Sequence, residues 1–117
     1  MHNFKELNSW KEAKDLSVLI VKLTSTFPTS EIYGISAQIN RAAVSIPSNI
    51  AEGAGRNSDK DFARFIGIAI GSTFELETQL IIANELSYLN NDKFDELILK
   101  LNSIQKMLVN FQKHLNK

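Results

Sequence analysis

The chain contains no cysteine, which excludes disulfides and thiolate metal sites from any account of its stability or chemistry. Its only histidines, His2 and His114, lie near opposite ends of the sequence. Neither a His-Glu-x-x-His run nor the paired Glu-x-x-His motifs of di-iron bundles is present. Charge of one sign is missing too: 13 basic residues face 13 acidic ones, and the pI is about 6.7. Nonspecific nucleic-acid binders usually carry a basic surplus that displaces counterions from phosphates. Any such binding here must come from a local patch or a basic partner. No apolar stretch approaches the roughly 20 residues of a membrane span. The start, Met1-His2-Asn3-Phe4-Lys5-Glu6, lacks the charged lead into a hydrophobic block that marks a secretory signal. The expectation is a single cytoplasmic domain over residues 1–117, with one core and no membrane association.

Strand signals are almost absent, and helix signals run throughout. Ser9 followed by Glu12 has the form of a capping box, and Trp10, Ala13, Leu16, Ile20, Leu23 and Phe27 form an apolar stripe at helical spacing. Pro28, Thr29 and Ser30 close that first helix. A second begins between Ser30 and Ile35, contains Pro47, and is expected to end at Gly53 or Gly55 in the left-handed conformation that glycine permits. Ser58, with Asp59 and Asp61 behind it, caps a third helix that runs to about Leu89. The fourth opens after Asn90, Asn91 and Asp92. Its residues Phe94, Leu97, Leu101, Ile104, Leu108, Phe111 and Leu115 alternate spacings of three and four, the seam of a left-handed bundle. Short connections imply antiparallel neighbours, so the predicted fold is all-α: an antiparallel up-down-up-down four-helix bundle with its second helix kinked at Pro47.

The third helix carries more apolar surface than one bundle hides. Besides its core stripe it presents Ile70, Phe74, Ile81 and Tyr88, which are the candidates for a contact with another copy of the chain. Gly67 and Gly71, four apart, suit either close approach of a second helix or bulky neighbours within the same subunit.

Recognisable site chemistry is scarce. No serine stands in a Gly-x-Ser-x-Gly turn, and the chain reads as a non-enzyme without cofactor, metal or small-molecule substrate. Gly53-Ala54-Gly55-Arg56 has the look of a phosphate-holding loop, but it lacks the Gly-Lys-Ser/Thr ending and the preceding strand of a P-loop; a helix stop is preferred. Arg56, Lys60 and Arg64 make a small basic edge and are the candidate nucleic-acid contacts. Around Pro47, which costs a helix interior roughly 3 kcal/mol, a polar line of Gln38, Arg41, Ser45, Asn49 and Glu52 faces the third helix, where Glu75 and Gln79 lie. Arg41 with Glu75 is expected to form a partly buried pair and Gln38 with Gln79 a second layer. Asn49 is expected to serve backbone groups freed by Pro47.

These residues resemble a known family, the four-helix-bundle proteins encoded in intervening sequences of bacterial 23S ribosomal RNA genes. The resemblance rests on Phe4-x-x-Leu7, Trp10, Phe27-Pro28, Glu31, Tyr33-Gly34, Gln38 and Arg41-Ala42-Ala43. It continues through the block from Ser45 to Gly53, Gly55-Arg56, Phe62, Phe65, Gly71-Ser72, Glu75-Leu76 and Gln79-Leu80. It implies an antiparallel bundle, frequently a ring-shaped homopentamer, without established catalysis. A related group, the accessory proteins of diversity-generating retroelements, looks like the same bundle and is associated with a reverse transcriptase and nucleic acid. Those relatives are markedly basic, whereas this chain is neutral. The expected function is a non-catalytic homo-oligomeric accessory or scaffold associated with RNA or a ribonucleoprotein; the alternative is a protein–protein interaction module with no nucleic-acid contact.

Overall fold

Side-chain oxygens at Ser58 and Asn90 start the two longest helices. In the computed structural model, which describes Met1 to Lys117, Ser58 accepts from the Asp61 amide at 3.1 Å and Asn90 from the Lys93 amide at 2.8 Å. Asp59, Asp61 and Asp92 sit in the first turns, where the helix dipole favours negative charge. The helices that follow are α3 (Asp59–Glu85) and α4 (Asn91–Leu115); before them run α1 (Asn8–Thr24) and α2 (Ile35–Ala54). The capping box expected at Ser9 does not form. The chain enters α1 from a 3₁₀ turn over Phe4–Glu6, Leu7 takes the N-cap position, and Ser9 is buried within the first turn.

Cross-helix contacts set the topology. Ser17 meets Ala43 and Thr24 meets Asn40; Ser45 meets Ser72 and Arg41 meets Glu75; Ala63 meets Gln112 and Glu77 meets Gln105. In each pair of contacts one number rises while the other falls, so consecutive helices run antiparallel. Contacts between α1 and α4 close the four-helix bundle, which measures 43 × 23 × 20 Å. Its core is one cluster that includes Ile39, Ile50, Ile66, Leu80, Leu101 and Leu108, all fully buried. Each such side chain contributes roughly 1.5–3 kcal/mol of burial. The seam of α4 behaves as its spacing predicts, with Leu97, Leu101, Ile104, Leu108 and Leu115 buried.

Pro47 is buried inside α2, and its missing N–H deprives the Ala43 carbonyl of its helical partner. The hydroxyl of Ser17 on α1 supplies a replacement, lying 2.8 Å from Ala43 O and 2.9 Å from Ala13 O, with one proton between the two acceptors. Asn49, expected to serve the freed group, instead donates to Ser45 O at 2.9 Å and to Ser45 Oγ at 3.1 Å. The correction has a geometric reason: the orphaned carbonyl belongs to the residue four before the proline, on the side of α2 that faces α1.

The glycine stop also differs from expectation. Gly55 closes α2 at φ −83° and no glycine adopts positive φ. Gly53 serves packing instead, since a Cβ there would come within 2.7 Å of both Phe62 Cδ1 and Phe65 Cβ on α3. The left-handed residue of the chain is Ser87, at φ 63°, and it ends α3 at Glu85, short of Leu89. Asn84 braces this corner by donating to Leu89 O and Asn91 Oδ1, both at 2.9 Å. A further correction concerns hydropathy: α3 has an 18-residue window of mean hydropathy 1.3, so by length and composition it is long and apolar enough to cross a membrane.

Ser17→Ala should cost about 1–3 kcal/mol, the range for leaving a buried carbonyl unpaired. Adding Pro47→Ala, which restores the amide, should recover most of that loss. Urea unfolding of the single and double variants measures the coupling, and additive effects would contradict it.

Candidate functional site

Arg56 and Arg64 meet at the corner where α2 gives way to α3. Arg56 Nη2 donates to Glu52 Oε1 at 3.3 Å, and its Nε lies 3.8 Å from Asp61 Oδ2; Arg64 Nε donates to Asp61 Oδ1 at 3.0 Å. Both guanidinium carbons lie 4.5 Å from the centre of the Phe65 ring, which the two cations cover. The corner is thus an aromatic ring flanked by two arginines, each matched by a carboxylate. Lys60 is exposed and makes no ion pair, so of the three candidate nucleic-acid contacts it is the one with its charge free. The phosphate-loop reading of this corner fails on space and on donors. Gly53 is packed against Phe62, while the Gly55 and Arg56 amides are spent on Glu52 O and Gly53 O. The loop between the two glycines therefore offers an anion neither a cradle nor its own N–H groups.

The expected polar layer is present only in part. Arg41 does face Glu75, at 3.7 Å, but their side chains are 66% and 46% exposed, so the pair is a surface one rather than partly buried. Gln38 is exposed and makes no bond to Gln79; Gln79 is buried with its Oε1 unpartnered. Glu52 turns to Arg56 on its own helix. The bonds that tie α2 inward come from smaller side chains: Ser45 to Ser72 at 2.8 Å, Thr24 to Asn40 at 2.8 Å, and Ser17 to Ala43. Short hydroxyls reach a neighbouring backbone or hydroxyl at close helix spacing, where a long polar side chain is driven out to water.

Four antiparallel helices return the chain to the end where it began, so the termini meet. The His2 amide donates to Ala54 O at 2.8 Å, its ring lies 3.1 Å from Asp59 Oδ1, and Phe62 packs between His2 and Phe111 at centroid distances of 5.0 and 5.2 Å. His114 stacks on Phe111. No linear signal points to this cluster; it follows from helix number and direction.

On α3, Phe74 is 55% and Ile81 41% exposed, and Ile68, Ile82 and Leu86 are exposed beside them. Ile70 and Tyr88, candidates for the same contact, are half-buried. Tyr88 is occupied within the chain: its hydroxyl donates to Glu31 Oε1 at 3.2 Å and its ring packs on Phe27. Partial burial, followed by the neighbouring Glu31 carboxylate, pushes the phenol above its usual pKa. Of the two glycines, Gly67 accommodates Gln112 from α4, and Gly71 faces open space.

The family model of the 23S rRNA-intervening sequence protein matches residues 5–110. The chain belongs to this family. A crystal structure of a protein of unknown function, from the S23 ribosomal protein family of Bacteroides thetaiotaomicron VPI-5482, has the same fold. Its TM-score is 0.84 at 24% identity, and the match covers 90% of this chain and 98% of that one. No curated protein matches. For this member of the 23S rRNA-intervening sequence protein family, then, fold and family are in hand, while neither relationship carries a reaction.

Arg41→Met should change stability by less than about 1 kcal/mol, because exposed pairs contribute little. Gln79→Leu should be neutral or stabilising, because it removes a buried acceptor that has no partner. Denaturant midpoints report both, and a large loss in either would restore the register role first expected of this layer. Tyr88 gives a pH prediction. A phenol whose pKa is higher in the folded state contributes stability below the unfolded value, near 10, that is lost as pH rises through the folded one. Tyr88→Phe should therefore lose less stability than the native chain above pH 10, as followed by thermal unfolding.

Proposed function

We propose that this chain is a non-catalytic homo-oligomeric bundle, working in the cytoplasm as an accessory or scaffold associated with RNA or a ribonucleoprotein. The observation that carries the assembly is the outer face of α3, where Phe74, Ile81 and Ile82 are exposed, with Leu86 just past its end, although the same helix already buries a complete core stripe. Apolar patches of this kind mark interaction surfaces. The family resemblance supports five copies in a ring. The association with RNA is supported by the family's name and by the corner at Arg56, Lys60 and Arg64, which has an aromatic ring under two guanidiniums.

A second reading is favoured by a specific observation. Glu52 and Asp61 neutralise both arginines, leaving Lys60 alone, and the whole chain has no net charge. That arrangement suits a protein-interaction module without nucleic-acid contact.

Light scattering at micromolar concentration should give a mass several times that of one subunit, and a monomer would overturn the assembly. Fluorescence anisotropy with a ribosomal RNA fragment at low ionic strength separates the two readings. Direct binding should weaken linearly in log salt, and neutralising Lys60 should lower the slope by about 0.7–0.9 if it meets one phosphate. Absence of binding at low salt leaves the second reading standing.

A further inference from the structure

A second apolar surface lies across the bundle from α3. Val18 and Val21 on α1 and Val44 on α2 are each 43–48% exposed and line a groove of about 350 Å³ together with Ser17 and Lys22. Resting on the homo-oligomer proposed above, we infer that Phe74 and its neighbours on α3 of one copy seat in this valine groove of the next. The contact is heterologous: one surface of each subunit meets a different surface of its neighbour, so a closed assembly is a ring.

Height along the bundle supports it. Ser17 touches Ala43 on an antiparallel neighbour, which places Val18 level with Ala42, within one turn of Val44; Ser45 touches Ser72 and Arg41 reaches Glu75, which places Phe74 level with Ala42 and Ala43. A ring whose axis runs along the bundle has no rise between subunits, so the two surfaces must lie at one height. They do.

Charge supports it independently. From Arg64 to Lys93 the chain has no basic residue, and the ionised groups of α3 in that span are Glu75, Glu77 and Glu85. The groove is lined by one cation without an ion pair, Lys22, one turn beyond Val18, while Arg41, one turn before Val44, lies 3.7 Å from Glu75 of its own chain. Seating α3 against the groove brings its carboxylates toward the Lys22 ammonium. Seating α3 against a second α3 would set glutamates against glutamates, which disfavours a symmetric pair.

Val44→Glu and Phe74→Glu test the assignment, because both positions are about half exposed and a glutamate there can reach water; circular dichroism melts confirm that each variant is folded, with Val18→Glu replacing any groove variant that is not. Mass is read by light scattering for the native chain, each variant alone, and an equimolar mixture. The expected result is a native oligomer, two monomeric variants, and a mixture at twice the 13.1 kDa subunit mass. In that mixture the intact α3 of Val44→Glu seats in the intact groove of Phe74→Glu, while the reverse contact sets glutamate against glutamate. A native monomer overturns the assembly itself. A native oligomer with either variant still assembled, or with the mixture monomeric, overturns the surface assignment and leaves the assembly intact.

Discussion

One missing hydrogen organises the bundle. Pro47 gives α2 no amide at that position, and a buried carbonyl left without a donor costs more than a typical hydrogen bond returns. Ala43 O is therefore a fixed demand that only a neighbouring helix can meet, and Ser17 meets it. Once Ser17 is held opposite Ala43, α1 has one register on α2, and Thr24 falls opposite Asn40. On the other side of α2, Gly53 lets Phe62 and Phe65 approach to a distance that any side chain would prevent, and Ser45 finds Ser72. A helix with a proline on one flank and a glycine at its end thus fixes two neighbours at once.

What was legible in the sequence follows from which signals are local. Ser58 and Asn90 cap within three residues, and the α4 seam needs only its own spacing, so both appear in the structure as expected. The polar layer is less legible because the sequence shows polarity, while the structure selects by reach. Arg41 and Gln38 are long enough to leave the interface for water, whereas Ser17, Ser45 and Thr24 are too short to leave and so form the bonds between helices. The left-handed residue fell on Ser87 rather than on Gly53 or Gly55 for a related reason. Gly53 is there to remove a side chain, and helix spacing alone does not show that a second helix passes within reach.

The candidate nucleic-acid corner shows the same limit in its charges. Lys60 and Arg64, four apart, share a helical face, and a one-dimensional reading adds Arg56 to make a basic edge. In three dimensions Asp61 reaches both arginines and Glu52 takes the first from the preceding turn, while Phe65 holds the guanidiniums over its ring. Arginine held in this way is preorganised but electrically spent. The corner's main effect is then to lock the α2–α3 turn, next to the cluster of His2, Phe62 and Phe111 that joins the termini.

The composition of α3 presents two possible environments for its outer face, hydrocarbon or protein. The helix passes a length and hydropathy test for a membrane span, but Glu75 and Glu77 lie near its middle. An acidic side chain at the centre of a bilayer costs roughly 2.5–3.5 kcal/mol on insertion scales, and two of them within a single turn would fall in the same layer. Against a protein surface the same residues are assets. Glu75 already pairs with Arg41, and Glu77 accepts from Gln105 at 3.0 Å. An apolar stripe edged by carboxylates favours a partner that is apolar at its centre and basic at its edge, and the valine groove with Lys22 beside it has that composition.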